Sequence, residues 1–178
     1  MKMETEQVIL TRQLPKTGYT YSYSDGDDAY YQAGWWKGRK IADNKTRFIA
    51  KTINGDDVVI DRATGLMWAA DGAAAGCNNG GTLNLTDAIV YANALDFAGF
   101  TDWRLPNINE LFSIVKHLST NPSIYTDFFS NTVNNHYWSS GGAGPGGTYG
   151  KTGLFTLGEV VRAFREEVHY LRCVRGGL

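Results

Sequence analysis

Polar and apolar positions alternate along this chain with two different periods, and the change of period marks its elements. In "RFIAKTINGDDVVIDRATGLMWAA", residues 47–70, three short apolar segments are interrupted by Asn54-Gly55 and Thr64-Gly65. Asn and Gly both tolerate positive φ, the backbone geometry of tight hairpin turns, so this stretch predicts a β-meander. In "LTDAIVYANALDFAG" the period lengthens: Ala88, Ile89, Ala92 and Leu95 share one helical face. A helix over about 86–98 is expected, with Thr86 as N-cap and Gly99 as its stop.

The segment "TDWRLPNINELFSIV", 101–115, predicts its own fold. Pro106 pushes Leu105 out of the α region, so Trp103 to Pro106 is extended. Asn107 then caps a helix over about 107–118, and Glu110, three residues on, closes a capping box. Ile108, Leu111, Phe112 and Val115 follow at helical spacing. Trp103 and Leu105 are expected in the core, with Arg104 turned away or paired to a carboxylate.

Elsewhere the pattern is extended. Tyr19, Tyr21 and Tyr23 alternate and predict an edge strand with one aromatic face. Tyr137 to Ser140 reads as a strand, followed by a glycine-rich loop over 141–150 and a second strand near Leu154. The chain ends in β-rich segments. The fold class is therefore α+β: short-stranded antiparallel sheets, two helices and long irregular loops. An N-terminal extension, 1–45, is expected to pack on a domain spanning 46–178.

Composition narrows the function. Seventeen basic and eighteen acidic residues among 178 leave a net charge of -1. That balance argues against a nucleic-acid binder, which carries a basic excess. No apolar run reaches the roughly 18–20 residues that span a bilayer, so membrane insertion is not expected. The opening "MKMETEQVILTRQLPKTG" has no apolar leader core. Two cysteines, Cys77 and Cys173, lie too far apart for a metal knuckle. On spacing alone they are a disulfide, two buried thiols, or a thiol site.

"TGLMW" (64–68), "DWRLPNINEL" (102–111), "YWSS" (137–140) and "RCVRGG" (172–177) resemble, in order and spacing, the bacterial Lcl C-terminal domain family, long catalogued as a domain of unknown function. The resemblance covers roughly residues 14–178. It implies a C-type-lectin-like fold, shared with formylglycine-generating enzymes, and an exported, extracytoplasmic protein whose leader is not present in this chain. The namesake domain binds sulfated glycosaminoglycans at the tip of a collagen-like adhesin. The family has no established catalytic residues, so none carries over. Where many relatives place a cysteine after a tyrosine in the first helix, this chain has Tyr91-Ala92. The resemblance thus implies that Cys77 takes over as disulfide partner of Cys173, and with it an oxidising compartment.

Candidate chemistry is sparse. "LPKTG" (14–18) matches a sortase pentapeptide, but a sorting signal sits at a C-terminus, so it reads as coincidence. "DGDD" (25–28) and "NGDD" (54–57) are acidic turns without the terminal Glu of a calcium loop, and no metal or other cofactor is expected. His117, His136 and His169 lie in no catalytic motif, and the chain is not expected to be an enzyme. The ligand-binding candidates are Asn134, Asn135, His136 and Tyr137, whose amides, imidazole and ring suit sugar hydroxyls and faces. Tyr149 on the rim of the glycine loop joins them, with Lys151, Arg162 and Arg165 as partners for sulfate. The expectation is a binding module for a glycan or a cell-surface protein, with a homo-oligomer as a further partner expectation. The alternatives are a structural or protein-binding part of a surface, pilus or phage-like assembly, and a cysteine-dependent enzyme on the same scaffold.

Overall fold

The structure, a computed structural model, describes residues 17, 19, 21–31, 47–144 and 146–176. Within them a short helix α1 (Asp28–Tyr31) precedes strands β1 (Phe48–Ile53), β2 (Asp56–Asp61) and β3 (Leu66–Ala69). Helices α2 (Leu85–Ala94) and α3 (Ile108–Ser113) follow, then β4 (His136–Gly142), β5 (Tyr149–Leu154), β6 (Glu159–Phe164) and β7 (Val174–Arg175). The fold is mixed α+β with two small antiparallel sheets, ordered β1-β2-β3-β7 and β4-β5-β6.

The expected meander is β1–β2–β3. Asn54 (φ 52) and Gly55 (φ 91) form its first turn, and Ile53 faces Asp56 across it. β7 completes this sheet from the far end of the chain, pairing Met67 with Arg175. Charges here are closed. Arg47 grips buried Asp61 with two hydrogen bonds of 2.9 and 2.7 Å. The same carboxylate accepts from the Ala63 N–H and the Thr64 hydroxyl, which fixes the turn into β3.

The segment 101–113 folds as its sequence dictates. Trp103 and Leu105 are buried, and the indole N–H of Trp103 donates to the Phe97 carbonyl. Asn107 and Glu110 form a full capping box. Arg104 pairs with Glu110 through two bonds, which also secures the carboxylate that caps the helix. Helix α3 stops at Ser113 rather than near 118, because Val115 leaves the helix to bridge Ile124. Helix α2 begins one turn-position earlier than its apolar face suggested. Its cap is Asn84, which accepts from the Asp87 N–H, and it ends at Ala94. Among the described residues Tyr19, Tyr21 and Tyr23 form no strand. Residues 21–27 make bends and a turn, because Asp27 accepts from the Tyr23, Ser24 and Tyr30 N–H groups and winds the chain into α1. Most of the N-terminal extension, including the sortase-like pentapeptide apart from Thr17, lies outside the described residues.

The core has two lobes. One gathers Val58, Leu85, Ala88, Trp103, Trp138 and both cysteines around α2. The other gathers Phe48, Trp68, Leu111, Phe129, Tyr137 and Phe155 around α3. Strand β5 lies between them and approaches both closely. A Cβ on Gly150 would sit 2.7 Å from Leu85 and 2.8 Å from Trp138, so only glycine lets the strand lie down there. Among the described residues no helix is long and apolar enough to cross a membrane.

Candidate functional site

The second sheet carries the ligand candidates, and its register decides which can act together. Strands β5 and β6 pair Tyr149 with Phe164, Lys151 with Arg162 and Gly153 with Val160. Side chains alternate across a strand, so these six positions share one face. The other face presents Gly150, Thr152 and Ala163 to the core, and all three are buried. One side of the ribbon is thus fixed by packing; the other is closed at Gly153, whose Cβ position lies 3.0 Å from Leu111, and open over Arg162 and Phe164, with Tyr149 and Lys151 partly exposed beside them.

On the open side the Tyr149 and Phe164 rings lie 4.6 Å apart, tilted at 35°. Phe164 is half exposed, an unusual cost for a phenylalanine unless something covers it. The Arg162 guanidinium lies 5.2 Å from the Tyr149 ring centre, a cation–π contact that orients it. Beside it stands Lys151, directly across the ladder. Like charges opposite one another destabilise a sheet. Among the described residues neither has an ion-pair partner. Two cations flanking an aromatic pair form a surface for a ligand with an anionic group and a flat apolar face.

The remaining candidates separate. Arg165 is half-buried at the end of this ribbon, donating to the Gly147 carbonyl of the glycine loop at 3.2 Å. Its role is to hold that rim. Asn134 and Asn135 are exposed at the opposite end, where His136 pairs with Leu154. That is five positions along β5 from Tyr149, about 17 Å at strand rise. The Asn134 amide donates to Asn121, and Asn135 accepts from the His136 N–H. Tyr137 is a core residue and not a ligand contact. It is 1 % exposed, its ring packs on Phe155 and Tyr170, and its hydroxyl accepts from the Val133 N–H. Desolvation pushes its phenol up to about 12.

His136 faces the core side, stacked on His169 with ring centres 5.0 Å apart. Its Nδ1 meets the Thr152 hydroxyl at 3.0 Å, and that hydroxyl donates to the Val161 carbonyl. The hydroxyl oxygen therefore accepts, and Nδ1 carries the proton. His169 rests on Trp138 and binds Glu167, while burial lowers its pKa. Among the described residues no group of three or more His, Cys, Asp or Glu is arranged to hold a metal ion.

The expected disulfide is not formed. Cys77 and Cys173 are free thiols, both buried in the α2 lobe. They are near neighbours, since the Cys173 N–H donates to the Gly76 carbonyl. Burial raises both thiol pKa values, which disfavours the thiolate that oxidation and nucleophilic attack require. Neither thiol offers a surface to a substrate.

Phe164 is the site residue that sequence reading missed. Its signal was period-two alternation: Val160, Arg162 and Phe164 on one side of "EVVRAF", matching Tyr149 and Lys151 in "YGKTGL". No curated protein matches the chain. The family model described as the Lcl C-terminal domain matches residues 57–175, from β2 through β7 and across the whole open face. This protein is a member of the Lcl C-terminal domain family.

Proposed function

We propose that this chain is a non-enzymatic binding module with a C-type-lectin-like fold, part of an exported bacterial protein that acts in adhesion or carbohydrate recognition. The observation that carries the reading is the open β5–β6 face. There Lys151 and Arg162 stand side by side without acidic partners among the described residues, next to the half-exposed Phe164 and the Tyr149 ring it packs on. A sulfated or otherwise acidic glycan satisfies each part of it. Its anionic groups accept from the guanidinium and ammonium, and a sugar ring stacks on the aromatic pair. The binding face is thus the ribbon itself, with the glycine loop as its rim. Asn134 and Asn135 lie too far along the sheet to touch the same sugar.

A glycan array containing heparin-like sulfated chains, run with calcium and with chelator, tests this. The expected result is calcium-independent binding that weakens with salt and falls at least about tenfold in Arg162→Ala, the scale of a charge-assisted hydrogen bond or more. Silence across the array, or binding indifferent to Lys151 and Arg162, rejects the glycan reading.

A further inference from the structure

The face of β6 is one surface and its edge is another. β6 is the outer strand of its sheet. The Arg165 N–H donates to the Thr148 carbonyl in continuation of the β5–β6 register, which marks that pair as hydrogen-bonded. Hydrogen-bonded positions alternate by two, so Ala163, Val161 and Glu159 turn their main chain inward to β5. Val160, Arg162 and Phe164 turn theirs outward. The Phe164 carbonyl is taken by the Glu167 N–H. The N–H and C=O of Val160 and Arg162 have no partner among the described residues.

Edges of this kind are normally blunted by Lys, Pro, bulges or a covering segment. The opposite edge of the same sheet is treated that way. β4 carries an irregularity between Trp138 and Gly142, and the Tyr170 carbonyl accepts from the Trp138 N–H. Among the described residues β6 has none of these devices. "EVVRAF" holds no Pro or Gly and sums to zero charge. Exposed Leu157, Val160, Phe164 and Val168 run beside it.

We propose that β6 is a strand-addition edge through which two copies of this chain pair antiparallel, joining their sheets into one. Unpaired main-chain donors and acceptors are complemented by another extended backbone, and charge selects the second copy and its register. With Val161 opposite the partner's Val161, Arg162 faces the partner's Val160. Glu159 then lies diagonal to the partner's Arg165 on the same side, within reach of an ion pair, and the reverse pair forms by symmetry. Sliding one way sets Arg162 directly against the partner's Arg162. Sliding the other way sets Glu159 diagonal to the partner's Glu159. The chosen register leaves the two Arg162 side chains only diagonal, on long stems that reach solvent.

Light scattering on the full chain from micromolar to millimolar concentration, with amide exchange, tests the pairing. A concentration-dependent dimer is expected, in which the Val160 and Arg162 amides become protected. Val160→Pro removes an outward N–H and costs no bond to β5, so it should raise the dissociation constant at least about tenfold with the melting temperature unchanged. If that variant fails to fold, Val160→Lys places a charge on the edge with the backbone intact, and the same loss of dimer is expected. A monomer at every concentration overturns the proposal. A dimer that survives both substitutions overturns it as well, because its interface lies elsewhere. Glycan binding by the monomeric variant reads out the face separately from the edge.

Discussion

The two sheets of this protein treat charge in opposite ways. In β1–β2–β3–β7 arginines are paired with carboxylates: Arg47 on Asp61, Arg175 on Asp102, and Arg104 on Glu110 alongside. In β4–β5–β6 the cations on the outer face stand next to each other, and Phe164 beside them is left half in solvent. A sheet that serves only to hold the fold has every reason to satisfy its charges. One that leaves two cations adjacent retains unspent interaction for something outside the chain. The contrast separates scaffold from surface without reference to any ligand.

Removing a charge from each sheet sharpens that contrast most. Asp61→Ala leaves the Arg47 guanidinium buried without its carboxylate and frees the Ala63 and Thr64 bonds, so a loss of about 3–5 kcal/mol is expected in urea unfolding. Loss below about 1 kcal/mol would show the first sheet to be as tolerant as the second. Glu110→Ala removes half of the capping box and the partner of Arg104, with about 1–2 kcal/mol expected by the same measurement. Lys151→Ala in the second sheet should change stability by no more than about 0.5 kcal/mol, in the stabilising direction if the like-charged pair repels. A large destabilisation would place that lysine in the scaffold.

The histidine stack gives a pH test inside the second sheet. The charged groups that face His169 are His136 from β4 and Glu167 from its own segment. Burial holds its folded pKa below the ordinary 6.5, so the unfolded chain binds the proton more readily. Stability from this group is complete above that value and is lost as pH falls through the window below it. His169→Gln should flatten the dependence in thermal melts between neutral and mildly acidic pH. The smallest effect concerns the cysteines: denatured, unreduced protein should titrate two thiols, and none would restore the disulfide.

What the sequence made legible was local. Asn107 and Glu110 are three residues apart, and Asn54-Gly55 carries its own turn geometry, so both were readable without neighbours. The start of α2 was misplaced because Leu85, the first apolar residue of its face, sits beside Thr86, and either Asn84 or Thr86 can cap. Tyr137 looked like a site residue because an aromatic after two asparagines suits a sugar. Its burial is set by Phe155 and Tyr170, many residues away. The open face depends on the β5–β6 register, and no single segment announces that Lys151 will stand across from Arg162. The alternation within each strand was visible, but which side would be buried was decided by Leu85 and Trp138 beneath Gly150.

Strand β5 therefore offers a place to alter preference without altering the protein. Gly150 and Thr152 are buried against the core, while Tyr149 and Lys151, interleaved with them, lie partly exposed on the opposite face. A library randomised at 149, 151, 162 and 164 and held constant at 150 and 152 should keep folding while its choice of ligand drifts. In breeding new specificities from this domain, the glycine is what makes the neighbouring positions free.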